Sequence, residues 1–69
     1  MTVQIHDMPK VGSKWRHKRG AVYRITHILN LHTEDYVKFP ITIAYRDDGG
    51  RHWCRPASQW FGSFTEIKE

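Results

Sequence analysis

A single cysteine, Cys54, stands among the 69 residues, so no disulfide within the chain can staple the fold. Such usage fits a reducing compartment or a domain held by packing alone. Hydrophobic runs are also short, and none approaches the roughly 18 consecutive apolar residues of a membrane helix. The opening stretch Met1-Thr2-Val3-Gln4-Ile5-His6-Asp7 has no basic segment ahead of an apolar one, so it does not match a secretion signal. These absences set the expectation of a cytoplasmic chain with no membrane partner. Length excludes more: the chain is one small domain with little room for a deep catalytic cleft as well as a core. Acidic residues are the minority, 7 against 11 Lys plus Arg, for a net charge of +4. That balance is mild support for an anionic partner. What is present is greasy and aromatic. Hydrophobic residues make up 39% of the chain and Phe, Trp and Tyr 13%, too much for a disordered tail.

No repeat, linker or low-complexity tract divides the sequence, so residues 1–10 read as a flexible arm ending near Pro9 and 11–69 as one domain. Lys14-Trp15-Arg16-His17 is a short strand, and Lys18-Arg19-Gly20 a turn in which Gly20 takes a positive φ. Ala21 to Asn30 is rich in strand formers. Its two faces would carry Ala21, Tyr23, Ile25, His27 and Leu29 on one side, and Val22, Arg24, Thr26, Ile28 and Asn30 on the other. Neither face is purely apolar. His32-Thr33-Glu34-Asp35 is a polar loop whose Thr33 and Asp35 side chains can bond neighbouring N–H groups. Val37, Phe39, Ile41, Ile43 and Tyr45 then alternate with Lys38, Pro40, Thr42, Ala44 and Arg46, which predicts a strand with an edge or bulge at Pro40. Asp48-Gly49 suits a type I′ hairpin turn. Arg51 to Arg55 returns as the partner strand, ended by Pro56. Ala57 to Phe61 reads as one helical turn closed by Gly62, and Ser63 to Lys68 as a last strand. The expected fold is all-β: a small SH3-like barrel of about five short strands with one helical turn before the last. An OB-like barrel is the rival.

The motifs Gly12, Trp15-Arg16-His17, Lys18, Gly20, Tyr23, His32-Thr33-Glu34, Tyr45-Arg46, Trp53-Cys54-Arg55-Pro56 and Phe61 come in an order that resembles a family of short bacterial and phage SH3-like domains of unknown function. The resemblance runs from about Val11 to Ile67, and Trp-x-Arg-Pro after a hairpin is its most specific part. Arg19 separates Lys18 from Gly20, and Tyr36-Val37-Lys38-Phe39-Pro40 replaces a shorter link; both depart from the pattern. The resemblance implies a fold and no activity.

A type I′ turn at Asp48-Gly49 would set Arg46 opposite Arg51, Tyr45 opposite His52, Ala44 opposite Trp53 and Ile43 opposite Cys54. The outer face would then collect Arg46, Arg51, Trp53 and Arg55, with Lys14, Arg16, Lys18 and Arg19 extending it. A tryptophan among arginines can stack a base while the guanidinium groups hold phosphates. The rival arrangement packs Trp53 inward through a bulge and leaves the arginines solvated. Cys54 would face inward as a small core residue. His52-x-Cys54 could supply two metal ligands, with His17, His27 or His32 adding others. A second short ligand pair is missing, so no metal and no cofactor is expected. Nothing sets the geometry of a Cys54–His pair with Glu34 or Asp35, so no catalytic residue is expected and the chain is taken as a non-enzyme. Trp60, Phe61 and Phe64 either cap one end of the barrel or form an exposed patch for a protein. The leading expectation is a non-catalytic module binding nucleic acid or another phosphate-bearing anion weakly through the basic-aromatic face. The alternative is a protein-interaction module, phage-encoded, that binds a host or self partner through exposed aromatics.

Overall fold

The structure is a computed structural model in which residues 8–68 are described. Its strands are β1 (Lys14–His17), β2 (Val22–Leu29), β3 (Thr42–Asp47), β4 (His52–Pro56) and β5 (Phe64–Ile67), with a 3-10 turn at Ala57–Gln59. They form one antiparallel sheet in the order β4-β3-β2-β1-β5. The expected all-β class holds, with the helical turn placed just before the last strand. No helix among the described residues is long and apolar enough to cross a membrane.

β2 accounts for its own mixed pattern. A bulge between Ile25 and His27 leaves Thr26 outside the register, where its hydroxyl donates to the Ala44 carbonyl at 3.2 Å. An extra residue reverses the alternation beyond it. Tyr23, Ile25 and Ile28 therefore share the inner side, opposite Asp47, Tyr45 and Ile43 respectively, while Arg24 and His27 lie on the outer side.

The core is Trp15, Ile25, Ile43, Tyr45, Ala57, Trp60 and Phe64, with Met8, Tyr23, Ile28 and Ile41 packed against it. Trp60 is fully buried (0% exposed) and stacks on Phe64 at 3.7 Å between ring centroids, 4° from parallel. Edge-on contacts join Trp60 to Trp15 at 5.6 Å and to Tyr45 at 5.1 Å. The sheet curls strongly. β2 and β1 separate β3 from β5, so a flat sheet would hold the latter two about 14 Å apart. Yet Tyr45 on β3 and Phe64 on β5 meet at 5.6 Å. The sheet is not closed by pairing between β4 and β5.

Three expectations need correction. The alternating run from Val37 does not form a strand until Thr42. Asp35 diverts it: its carboxylate accepts the Val37 and Lys38 N–H groups at 3.1 and 3.0 Å, and its carbonyl the Phe39 N–H at 2.8 Å. This capped turn leaves Val37 96% exposed and Phe39 half exposed. The hairpin register is also shifted by one residue, so that Arg46 faces His52, Tyr45 faces Trp53, Ala44 faces Cys54 and Ile43 faces Arg55. The turn begins at Asp47 rather than Asp48. The Gly50 N–H donates to the Asp47 carbonyl at 3.1 Å, and Gly50 takes a φ of 84° that other L-residues rarely adopt. A slip of one residue turns every side chain of the strand over. Cys54 is consequently exposed rather than core, and Arg51 lies against Asp47 in a 3.0 Å ion pair rather than opposite Arg46. Lastly, Met8 packs on the core and Pro9 is buried, so the C-terminal end of the expected arm is part of the domain. Met1–Asp7 lie outside the described residues.

Trp60→Ala should cost about 3–5 kcal/mol, the range for a fully buried aromatic, which is most of what a domain this small has. Val37→Ala should change stability by less than about 0.5 kcal/mol. Urea unfolding followed by circular dichroism checks both; equal costs would contradict this core. The outward register of Cys54 has its own check. The folded protein should react with a thiol reagent as fast as the urea-unfolded chain, whereas an inward Cys54 would be protected.

Candidate functional site

Because the sheet curls, its inner side does not close over completely. Between the β1–β2 turn, β3, β4 and the start of β5 lies an open groove of about 560 Å³. Tyr23, Tyr45, Trp53 and Phe64 supply its aromatic surface, His17, Lys18, Arg19 and Arg55 its polar rim, and Ala21 and Ser63 complete it. No lining residue is acidic. The volume suits a small ligand or a short piece of a larger one.

Arg55 is the best-ordered cation of the groove. Its Nε donates to the Tyr45 hydroxyl at 3.2 Å, and Nη1 reaches the Gln59 carbonyl at 3.4 Å. The guanidinium also lies over the Phe64 ring, 4.9 Å from its centroid. It makes no ion pair with any described residue. A half-buried guanidinium, fixed by neutral partners and facing no carboxylate, is preorganised for an anion.

Trp53 stands at the rim, 47% exposed. Asp47 fixes it. The Asp47 carboxylate accepts the Gly49 N–H at 2.9 Å, the Arg51 N–H at 3.0 Å, the Arg51 Nε at 3.0 Å and the Trp53 indole N–H at 3.2 Å. The Arg51 backbone N–H, with the Trp53 indole and the Arg51 guanidinium, holds the Asp47 carboxyl below its usual range despite some desolvation. Arg51 in turn lies over the Trp53 ring at 6.0 Å. A single carboxylate thus shapes the turn and aims the indole.

His17 stands beside Phe64 with ring centroids 4.9 Å apart. Desolvation lowers its pKa, and the positive charges of Arg55, Lys18 and Arg19 lower it further. The geometry agrees, since the Arg19 backbone N–H donates to Nδ1 at 3.1 Å and a proton there would displace it. The Gly20 N–H closes this turn on the His17 carbonyl at 2.7 Å, with Gly20 at a φ of 105° as its position in the turn implies.

The eight residues expected to form one basic-aromatic face are divided between two sides. Trp53, Arg55, Lys18 and Arg19 line the groove, and Arg51 leans on Trp53. Lys14, Arg16 and Arg46 lie on the outer side, in register with Arg24, Val22 and His52. Of the aromatics considered for a protein partner, Trp60 and Phe64 are core and only Phe61 is exposed, at 46%. Sequence reasoning missed His17, Ala21, Tyr23, Tyr45 and Ser63 as groove residues. No linear signal marks them, because the curl of the sheet brings them together. Among the described residues, no three His, Cys, Asp or Glu side chains gather as a metal site would require. No protein-family profile, curated protein or solved structure matches the chain.

The lowered His17 pKa has a definite sign. The folded state resists the proton that the unfolded chain accepts, so this contribution to stability is present above about pH 6.5 and is lost as pH falls from there through the lower folded value. A proton titration of the His17 ring by NMR should give a midpoint below about 6.5. Inorganic phosphate should move it upward, because an anion beside the ring offsets the three cations. A midpoint that phosphate leaves unchanged would mean that no anion sits in the groove.

Proposed function

We propose that this chain is a non-catalytic binding module that takes a phosphate-bearing anion, foremost a single-stranded segment of nucleic acid, in the groove between β4 and the β1–β2 turn. The observation that carries this reading is the ordered guanidinium of Arg55 in a groove without carboxylates, beside the half-exposed indole of Trp53. In this arrangement a base stacks on the free surface of Trp53, Arg55 holds a phosphate, and Lys18 and Arg19 hold the next. Asp47 keeps the indole aimed, and Arg51 backs it. Binding is weak, because the cations are few and the exposed ones are screened by salt.

The strand order, with β1 to β4 in sequence and β5 returning beside β1, supports placing the curled sheet with SH3-like barrels. The Trp53-Cys54-Arg55-Pro56 motif of the phage and bacterial family resembled above supplies two of the groove's residues. Such a domain belongs with non-catalytic, cytoplasmic adaptors in this reading. A protein partner is the second reading, favoured by the exposed Tyr36, Val37 and Phe39 on the loop that Asp35 caps. An apolar contact there would be far less sensitive to salt than the groove.

Tryptophan fluorescence during titration with a short single-stranded oligonucleotide separates the two, since Trp15 and Trp60 are buried and Trp53 is the indole open to a ligand. At roughly 50 mM salt the emission should be quenched, and affinity should fall severalfold or more at roughly 200 mM. Trp53→Phe should remove the signal, and Lys18→Gln with Arg19→Gln should weaken binding without unfolding the domain. No quenching at the lower salt would overturn the nucleic-acid reading.

A further inference from the structure

The opposite side of the sheet carries a second pattern. Lys14 on β1 is in register with Arg24 on β2, Arg24 with Arg46 on β3, and Arg46 with His52 on β4. Arg16 lies two residues along β1, beside Val22 and Thr65. None of the strand positions on this side is an Asp or Glu: Asp47 and Glu66 both belong to the inner side, opposite Tyr23 and Trp15. Lys14, Arg16 and Arg46 make no ion pair with any described residue, while Arg24 is anchored by its donation to the Gly12 carbonyl at 2.6 Å.

Like charges directly opposite one another on neighbouring strands destabilise a sheet. Here such a row runs across adjacent strands, and none of its strand positions holds a carboxylate. At about 4.8 Å per strand it spans about 14 Å, a length over which a nucleic-acid duplex carries roughly eight negative charges. The row also lacks an exposed aromatic, so it has no platform for an unstacked base. Its apolar neighbours on this side are few: Ile67, half-buried beside Lys14, and Leu29, exposed further along β2. Its chemistry is therefore that of a rigid line of donors for phosphate oxygens.

We propose that the outer side of the sheet is a second binding surface, which takes the sugar-phosphate backbone of double-stranded nucleic acid without reading sequence. This surface is separate from the groove, and the two would let one domain hold a duplex on one side and a single strand on the other. Lys14, Arg16 and Arg46 supply free charge, and Arg24 a fixed one.

The test is fluorescence anisotropy of a labelled mixed-sequence duplex, titrated with the full chain at several salt concentrations, alongside the single-strand quenching of Trp53. Lys14→Gln with Arg46→Gln should weaken duplex binding tenfold or more. It should also lower the slope of log affinity against log salt by about two, since each phosphate contact contributes about 0.9. The same variant should keep its Trp53 quenching. Trp53→Phe with Lys18→Gln should keep duplex binding, so that loss of the groove reading and loss of this one are seen separately. Duplex binding unchanged by the Lys14/Arg46 variant, or absent in the parent chain at roughly 50 mM salt, would overturn the proposal. So would binding that depends on Lys14 and Arg46 but is seen with phosphatidylserine vesicles and not with the duplex.

Discussion

The stack of Trp60 on Phe64 is the contact on which the rest of this molecule depends. Trp60 follows the 3-10 turn that carries the chain from β4 to β5, and Phe64 opens β5. Their rings lie beneath Tyr45 and Trp15, which belong to β3 and β1. The stack therefore draws opposite ends of the sheet inward. A five-stranded sheet of such short strands buries too little surface if it stays flat, and curling around large rings solves that problem. The arrangement carries a cost, because the Trp60 indole N–H is buried without a hydrogen-bond partner among the described residues. An unmade bond of this kind costs about 1–3 kcal/mol, which the surrounding ring contacts outweigh.

The second constraint is electrostatic and acts on the hairpin. Two aspartates precede two glycines, so the sequence permits more than one turn. The Asp47 carboxylate decides between them by accepting the Gly49 and Arg51 N–H groups. Selecting Asp47 as the start of the turn decides which side of the sheet each β4 residue faces. Trp53 and Arg55 go to the inner side with Tyr45 and Ile43, while His52 and Cys54 go outward. One carboxylate thereby divides the positive charge of the domain between a groove that contains an aromatic surface and an outer row that does not.

That division gives the two sides different physical character. In the groove, Arg55 is ordered by neutral partners and by the Phe64 ring, so it has little conformational freedom left to lose in any further contact. Desolvation and neighbouring cations lower the His17 pKa, which makes its protonation a reporter of any anion placed there. On the outer side the charges are carried in register by paired strands. A single cation held by neutral partners marks the first side, and a line of cations in register marks the second.

Much of the fold was legible in the sequence: the five strands in order, the helical turn before the last, and the inward direction of Ile43 and Tyr45. These follow from local patterning, with β-branched and aromatic residues at period two and Gly or Pro between the runs. The mixed faces of β2 were visible as well, but their cause, the bulge at Thr26, was not. A bulge depends on how two strands pair rather than on either strand alone. The extent of β3 was misjudged because Val37 and Phe39 continue its alternation, while the Asp35 cap that removes them from the strand competes through hydrogen bonds that hydrophobic patterning does not weigh. The site was legible as a set of residue types around Trp-x-Arg-Pro, and not as a shape. By itself the sequence determined an all-β chain, an aromatic core and an excess of positive charge, since these are properties of residues and their near neighbours. Only the tertiary structure decided which charges face the groove and which the outer side, because that choice turns on a hairpin register held by Asp47 and on a curl imposed by Trp60.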